Sequence, residues 1–173
     1  MGEITSPGKY NIIQVCQIFD YLQEEIKYTQ EPPGEDNWLS PIETLKNCSG
    51  DCEDFAMLFS ALVTAKGGTA RIYMTDNHAF AAVYIGDKKN AAALFQDIES
   101  YYGVNLFFAV FEDEFGYWLV ADPLGSFYLG GLPANSNANG PPKENNLYSW
   151  GFVKTAFIKK SGKTVQVIDV MRE

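Results

Sequence analysis

Histidine and cysteine are scarce in this chain: one histidine, His78, and three cysteines, Cys16, Cys48 and Cys52. Three thiols are too few for a disulfide framework, and the odd number leaves at least one unpaired within the chain. Basic residues are also few. Thirteen Lys and Arg stand against 22 Asp and Glu, a net charge of −9. A surface of that sign repels phosphate backbones and anionic lipid, so nucleic acid and membrane surfaces are not expected partners. No apolar run reaches the ~18 residues of a membrane span. The start, MGEITSPGKY, lacks the apolar stretch of a signal peptide. The cytoplasm is the default location, with export the alternative if Met1–Gly2 replaces a removed leader. What the chain has in plenty is core material. It is 46% hydrophobic and 14% aromatic, which argues against global disorder. Its 173 residues show no internal repeat and no domain boundary, so a single domain spanning 1–173 is expected.

Periodicity orders the elements. Ile12, Val15, Cys16, Phe19, Leu22 and Ile26 recur at helical steps, predicting a helix over 11–28 stopped by Glu31-Pro32-Pro33-Gly34. Residues 35–51 read mostly as connection, with a short turn at Pro41–Leu45. A second helix is predicted over 52–66. It is apolar nearly all round, as buried helices are, with Asp51 as N-cap, Glu53 and Asp54 at its positive end, and Gly67-Gly68 closing it. The period then shortens. Ala70–Met74 and Ala79–Ile85 read as strands, Ala91–Tyr102 as a helix, and Leu106–Phe111 with Tyr117–Ala121 as a strand pair. Residues 125–150 are rich in Gly, Pro, Asn and Ser. A loop of that kind tends to serve function, and it is expected to border the active-site cleft. Phe152–Ile158 and Val165–Val170 are the last predicted strands. This order predicts an α+β domain.

Cys52 stands at the first turn of the buried helix. Unpaired N–H groups and the helix dipole favour a thiolate there and can receive an oxyanion. Taken alone, Cys52 is better read as a small buried residue, His78 as a surface turn residue and Asp122-Pro123 as an ordinary turn pair. Together they supply what a thiol nucleophile needs: a base, and a third group to orient the base.

Several blocks of sequence resemble the transglutaminase-like superfamily. Trp38-Leu39-Ser40-Pro41-Ile42-Glu43-Thr44-Leu45 and Gly50-Asp51-Cys52-Glu53-Asp54-Phe55-Ala56 are similar to the W-x-x-P-x-E-x-L and G-D-C-x-D-x-A segments of its bacterial and archaeal members. Gly67-Gly68-Thr69-Ala70-Arg71-Ile72 resembles their G-x-x-A-R stretch. His78-Ala79-Phe80-Ala81-Ala82-Val83-Tyr84 and Trp118-Leu119-Val120-Ala121-Asp122-Pro123 resemble their H-A-[FW]-x-x-V and W-x-x-x-D-P blocks. The match runs from residue 38 to about 123, in family order.

The resemblance implies a papain-like fold, with the nucleophile at the N-terminus of a central helix packed on an antiparallel sheet. It implies Cys52 as nucleophile, His78 as general base and acid, and Asp122 as orienter. A side-chain oxyanion donor is expected upstream, from Trp38 or Asn47. His78 and Asp122 lie 44 positions apart, farther than in many relatives, so residues 88–112 read as an insertion and Asp87 and Asp113 stand as fallback third members. No cofactor is expected. Calcium is the one candidate, since some members need it and Asp51, Glu53 and Asp54 cluster at the nucleophile. Capping and dipole matching already account for those acids, and no Asp-x-Asp-x-Asp-Gly loop is present. Hydrolysis of a peptide or other amide bond through a thioester is the expected activity, with a peptide or protein substrate. Transamidation or deamidation of glutamine, a peptide:N-glycanase-like amidase and a non-catalytic binding module are the alternatives.

Overall fold

The computed structural model describes residues 10–32, 34, 37–74 and 78–134, and the backbone of Gln166–Val170. Helix α1 runs Ile12–Glu25, with Asn11 as N-cap accepting from the Ile13 N–H. It buries Val15, Cys16, Phe19 and Leu22, the stripe its periodicity predicts. It ends earlier than expected because Ile26 turns extended. Lys27–Tyr28 (β1) then pairs in parallel with Ser49–Gly50 (β2), and the Lys27 and Thr29 N–H groups donate to Cys48 and Gly50.

Where the sequence suggested a short turn at Pro41–Leu45, the chain forms a helix, α2, Pro41–Asn47. Ser40 and Glu43 make a reciprocal capping box, and Pro41 occupies a first-turn position where its missing N–H is no loss. Helix α3, Cys52–Ala65, follows from the N-cap Asp51. Phe55, Leu58, Phe59 and Val63 on it are almost wholly buried. Each such side chain contributes about 1.5–3 kcal/mol relative to exposure.

A five-stranded sheet forms the rest of the frame, in the order β5-β6-β4-β3-β7. Its strands are β3 (Ala70–Met74), β4 (Ala79–Gly86), β5 (Val110–Asp113), β6 (Gly116–Ala121) and β7 (Gln166–Val170), and every pairing is antiparallel. Helix α4, Lys88–Tyr102, lies between β4 and β5 in sequence. The expected strand Leu106–Phe111 is shorter at its start, because the Ala109 N–H goes to Gly130. The expected strand Phe152–Ile158 lies outside the described residues.

Alternation along the strands sends Ile72, Ala81, Val83, Ile85, Leu119 and Ala121 into the helix-facing core. Tyr73, Phe80, Ala82, Tyr84, Trp118 and Val120 form a second cluster on the other face. Both faces are buried, so β4 reads as a continuous apolar run instead of an alternating one. The architecture is α+β, with α3 packed on an antiparallel sheet and Cys52 as its first residue. No helix among the described residues is long and apolar enough to cross a membrane.

Candidate active site

Cys52 opens α3 and is half-buried. The Ala79 main-chain N–H lies close enough to its sulfur to favour the thiolate, which places the thiol near the start of β4. His78 immediately precedes that strand, and Asp122 immediately follows β6. Strands β4 and β6 are neighbours with Ala81 opposite Ala121. The 44-residue separation is therefore no obstacle, since α4 and β5 leave and return without parting the two strands. His78 Nε2 and Asp122 Oδ2 are 2.6 Å apart, with both side chains more than nine-tenths buried.

Asp122 is itself held by the main chain. Its Oδ1 accepts from the Leu124 N–H at 3.0 Å, and Oδ2 also accepts from the Ala134 N–H at 2.7 Å. The described start of the 125–150 segment thus returns to the carboxylate facing His78, while 135–150 lies outside the described residues. The fallback aspartates are engaged elsewhere. Asp87 caps α4 by accepting from the Asn90 N–H, and Asp113 pairs with Arg71 and accepts from the Trp118 indole.

Asp51 is the N-cap and Glu53 and Asp54 lie in the first turn, as expected, and each does more than cap the helix. Asp54 turns inward, where it accepts from the Leu39 N–H at 2.8 Å and the Asp51 N–H at 3.2 Å. Glu53 is half-buried, and the Cys52 thiol donates to its Oε2 at 3.1 Å. Burial first, and then Glu53, pushes the Cys52 thiol up to about 12. Asp51 is pushed up to about 7, by burial and then by Glu53.

Glu31, which sequence reasoning missed, joins the group. Glu31, Asp51 and Glu53 each bring an oxygen within 4.8 Å of the others. Glu31 is steadied by the Asn37 N–H at 2.9 Å. Asp51 Oδ1 is buried without a hydrogen-bond partner. An orphaned carboxylate oxygen beside two further carboxylates is the donor chemistry of a hard divalent cation such as calcium. The parallel pairing of β1 with β2 is what carries the segment after α1 to the nucleophile, and no local motif announces it.

Trp38 is 41% exposed just before Leu39, and Asn47 is exposed at the end of α2. Tyr28, opposite Gly50, also borders the site; burial and then the charge at Cys52 push its phenol up. Cys48 is exposed, and Cys16 is fully buried with its thiol pushed up to about 12 by burial.

The family model of the transglutaminase-like superfamily matches residues 1–123. No curated protein matches the chain. Two solved structures of LapG from Legionella pneumophila are similar to it. The EGTA-treated form is 21% identical with a TM-score of 0.46, over 69% of this chain and 55% of that one. The calcium-bound form is 19% identical with a TM-score of 0.47, over 84% of this chain and 79% of that one. The chain thus spans little more than half of the EGTA-treated LapG.

Proposed function

The chain belongs to the transglutaminase-like superfamily, and on that premise we propose that it is a cysteine-dependent acyl-transfer enzyme that hydrolyses a peptide or other amide bond. The observation that carries the reading is the buried 2.6 Å contact of His78 Nε2 with Asp122 Oδ2, at the strand end that also meets the Cys52 sulfur.

Asp122 engages Nε2, so Nδ1 is the nitrogen that serves Cys52. His78 takes the thiol proton as the sulfur attacks the carbonyl carbon of the amide. His78 returns that proton to the departing amine, and a thioester remains on Cys52. Water, activated by the same imidazole, releases the acid and regenerates the thiol. The Asp122 carboxylate fixes the ring and stabilises its cationic form. The N–H groups at the start of α3 receive the oxyanion, with Trp38 or Asn47 as the second donor.

Glu31, Asp51 and Glu53 are the residues that would hold a calcium ion. When bound, it would supply positive charge beside a sulfur that meets the Glu53 carboxylate. Asp54, committed to the Leu39 and Asp51 N–H groups, stays out of the ligand set.

The test is mass spectrometry of peptide libraries incubated with wild type and Cys52→Ala, with calcium present. Cysteine-dependent addition of water across an amide bond supports hydrolysis. Loss of ammonia from glutamine, or exchange with an added amine, would move the assignment to deamidation or transamidation. No covalent intermediate and no product would favour the binding module.

A further inference from the structure

Asp122 lies just beyond the end of β6, outside the register that pairs that strand with β4. Something else has to fix the turn that presents its carboxylate. Within the turn, the Gly125 and Ser126 N–H groups donate to the Asp122 carbonyl. Across the turn, one side chain reaches in from another element. The Gln23 amide on α1 donates to the Pro123 carbonyl at 3.0 Å and to the Ser126 carbonyl at 2.6 Å. Both amide protons are spent on the two carbonyls that bracket the turn, about a hundred positions away in sequence. The farther part of the loop is anchored separately, with Leu129 fully buried and the Gly130 N–H donating to Val120. Space is short at the turn itself: a Cβ on Gly125 would come within 2.6 Å of the Pro133 carbonyl carbon and 2.8 Å of Asp122 Oδ2.

We propose that Gln23 is a positioning residue for the acyl-transfer site: it clamps the 123–126 turn and thereby holds the Asp122 carboxylate on His78 Nε2. The inference rests on the triad reading of Cys52, His78 and Asp122. Gln23 touches no reacting atom. It acts by denying the turn the small rotation that would carry Oδ2 away from the ring, and sub-ångström to ångström displacements of this kind are costly in preorganised sites. Because Gln23 sits on α1, the first helix becomes part of the active-site scaffold as well as of the core.

His78 is the only histidine, so its ring can be followed without assignment ambiguity. The experiment is proton NMR of the hydrogen-bonded Nε2–H, which a short contact to a carboxylate moves far downfield, on wild type and four variants. Each variant is measured well below its own melting temperature. Asp122→Asn reports the triad contact itself. Gln23→Met keeps length and volume and removes both donors. Gly125→Ala disturbs the same turn without touching α1. Tyr101→Phe removes an α1–α4 hydrogen bond to Asp20 and controls for general loosening of α1. The expected result is loss or upfield movement of the signal in Asp122→Asn, Gln23→Met and Gly125→Ala, and no change in Tyr101→Phe. A signal lost in Asp122→Asn but intact in folded Gln23→Met overturns the Gln23 proposal and spares the triad. A signal indifferent to Asp122→Asn overturns the triad reading and this proposal with it. Loss in Tyr101→Phe equal to that in Gln23→Met would reduce Gln23 to a residue that merely stabilises α1, against the proposal.

Discussion

Asp51 and Glu53 oppose the negative charge that a nucleophilic Cys52 has to carry, and Glu53 does so by direct contact with the thiol. From the sequence, Glu53 is assigned to the positive end of the helix dipole. The structure also turns Glu53 onto the sulfur, and the thiol is pushed up to about 12, by burial first and Glu53 next. In chelator-treated protein near neutral pH, Glu53→Gln should therefore speed iodoacetamide labelling of Cys52. Each unit removed from the thiol's value is worth about tenfold in thiolate, so a rise of roughly that size is expected by peptide mass spectrometry. Cys16, fully buried, should stay unlabelled in both proteins. Labelling of Cys52 unchanged by Glu53→Gln would show that the carboxylate does not restrain it. At the other end of the site, Asp122→Asn keeps an acceptor for the Leu124 N–H but removes the charge beside His78. It should lower turnover by on the order of 10²–10⁴, and lower the melting temperature as well, because the new amide NH2 faces the Ala134 N–H that Oδ2 accepts from. A loss smaller than about threefold would remove Asp122 from the proposed machinery.

At the scale of elements, α3, β3 and β4 were legible because each is an apolar run of distinct length with a hard stop in the sequence: Gly67-Gly68 after α3, and Thr75-Asp76-Asn77 ahead of His78. Helix α2 was underread, although Ser40-Pro41-Ile42-Glu43 carries both a capping box and a first-turn proline. Seven residues hold too few apolar positions to show a helical period. The end of α1 was misplaced because the N–H groups of Lys27 and Thr29 find partners only on Cys48 and Gly50, a non-local pairing that no window displays. The same pairing hid Glu31 from the candidate site. Gly50 marks the join between β2 and α3. A Cβ there would meet Asp54 Cβ at 2.6 Å and Oδ2 at 2.8 Å, against the carboxylate that receives the Leu39 and Asp51 N–H groups. Gly50→Ala should cost about 1–3 kcal/mol in urea unfolding, with an unchanged slope. It should also slow Cys52 labelling, because the start of α3 moves. A loss below about 0.5 kcal/mol would mean that Asp54 yields freely and does not fix the helix start.

For the molecule as a whole, the buried acids set a dependence of stability on pH that opposes the common acidic loss. Asp51 is raised to about 7 by burial and then by Glu53, and Asp54 is raised by burial. In the unfolded chain both titrate near ~3.9. Between those values the folded protein binds more protons than the unfolded one, so stability falls as pH rises. The contribution is complete below about 4 and gone once pH passes the raised value near 7. Asp113 has the reverse sign: burial pushes it up, its pairing with Arg71 overrides this, and its contribution is lost only in stronger acid. In chelator, the melting temperature should therefore be higher near pH 5.5 than near pH 8, by about 3 °C or more. Net charge of −9 acts in the same direction, because self-repulsion grows as carboxyls ionise. Two measurements separate the local effect from the global one. Asp51→Asn changes total charge by one unit only, yet it should flatten most of the slope. Millimolar calcium should raise the wild-type melting temperature near pH 8, where the ligands are ionised, and much less near pH 5.5, where protons compete for them. Asp51→Asn should abolish that calcium shift, whereas Asp97→Asn, on α4 and outside the acidic group, should leave it intact. A slope that survives Asp51→Asn would assign the pH dependence to net charge. A calcium shift that survives it would place the cation elsewhere than on Glu31, Asp51 and Glu53.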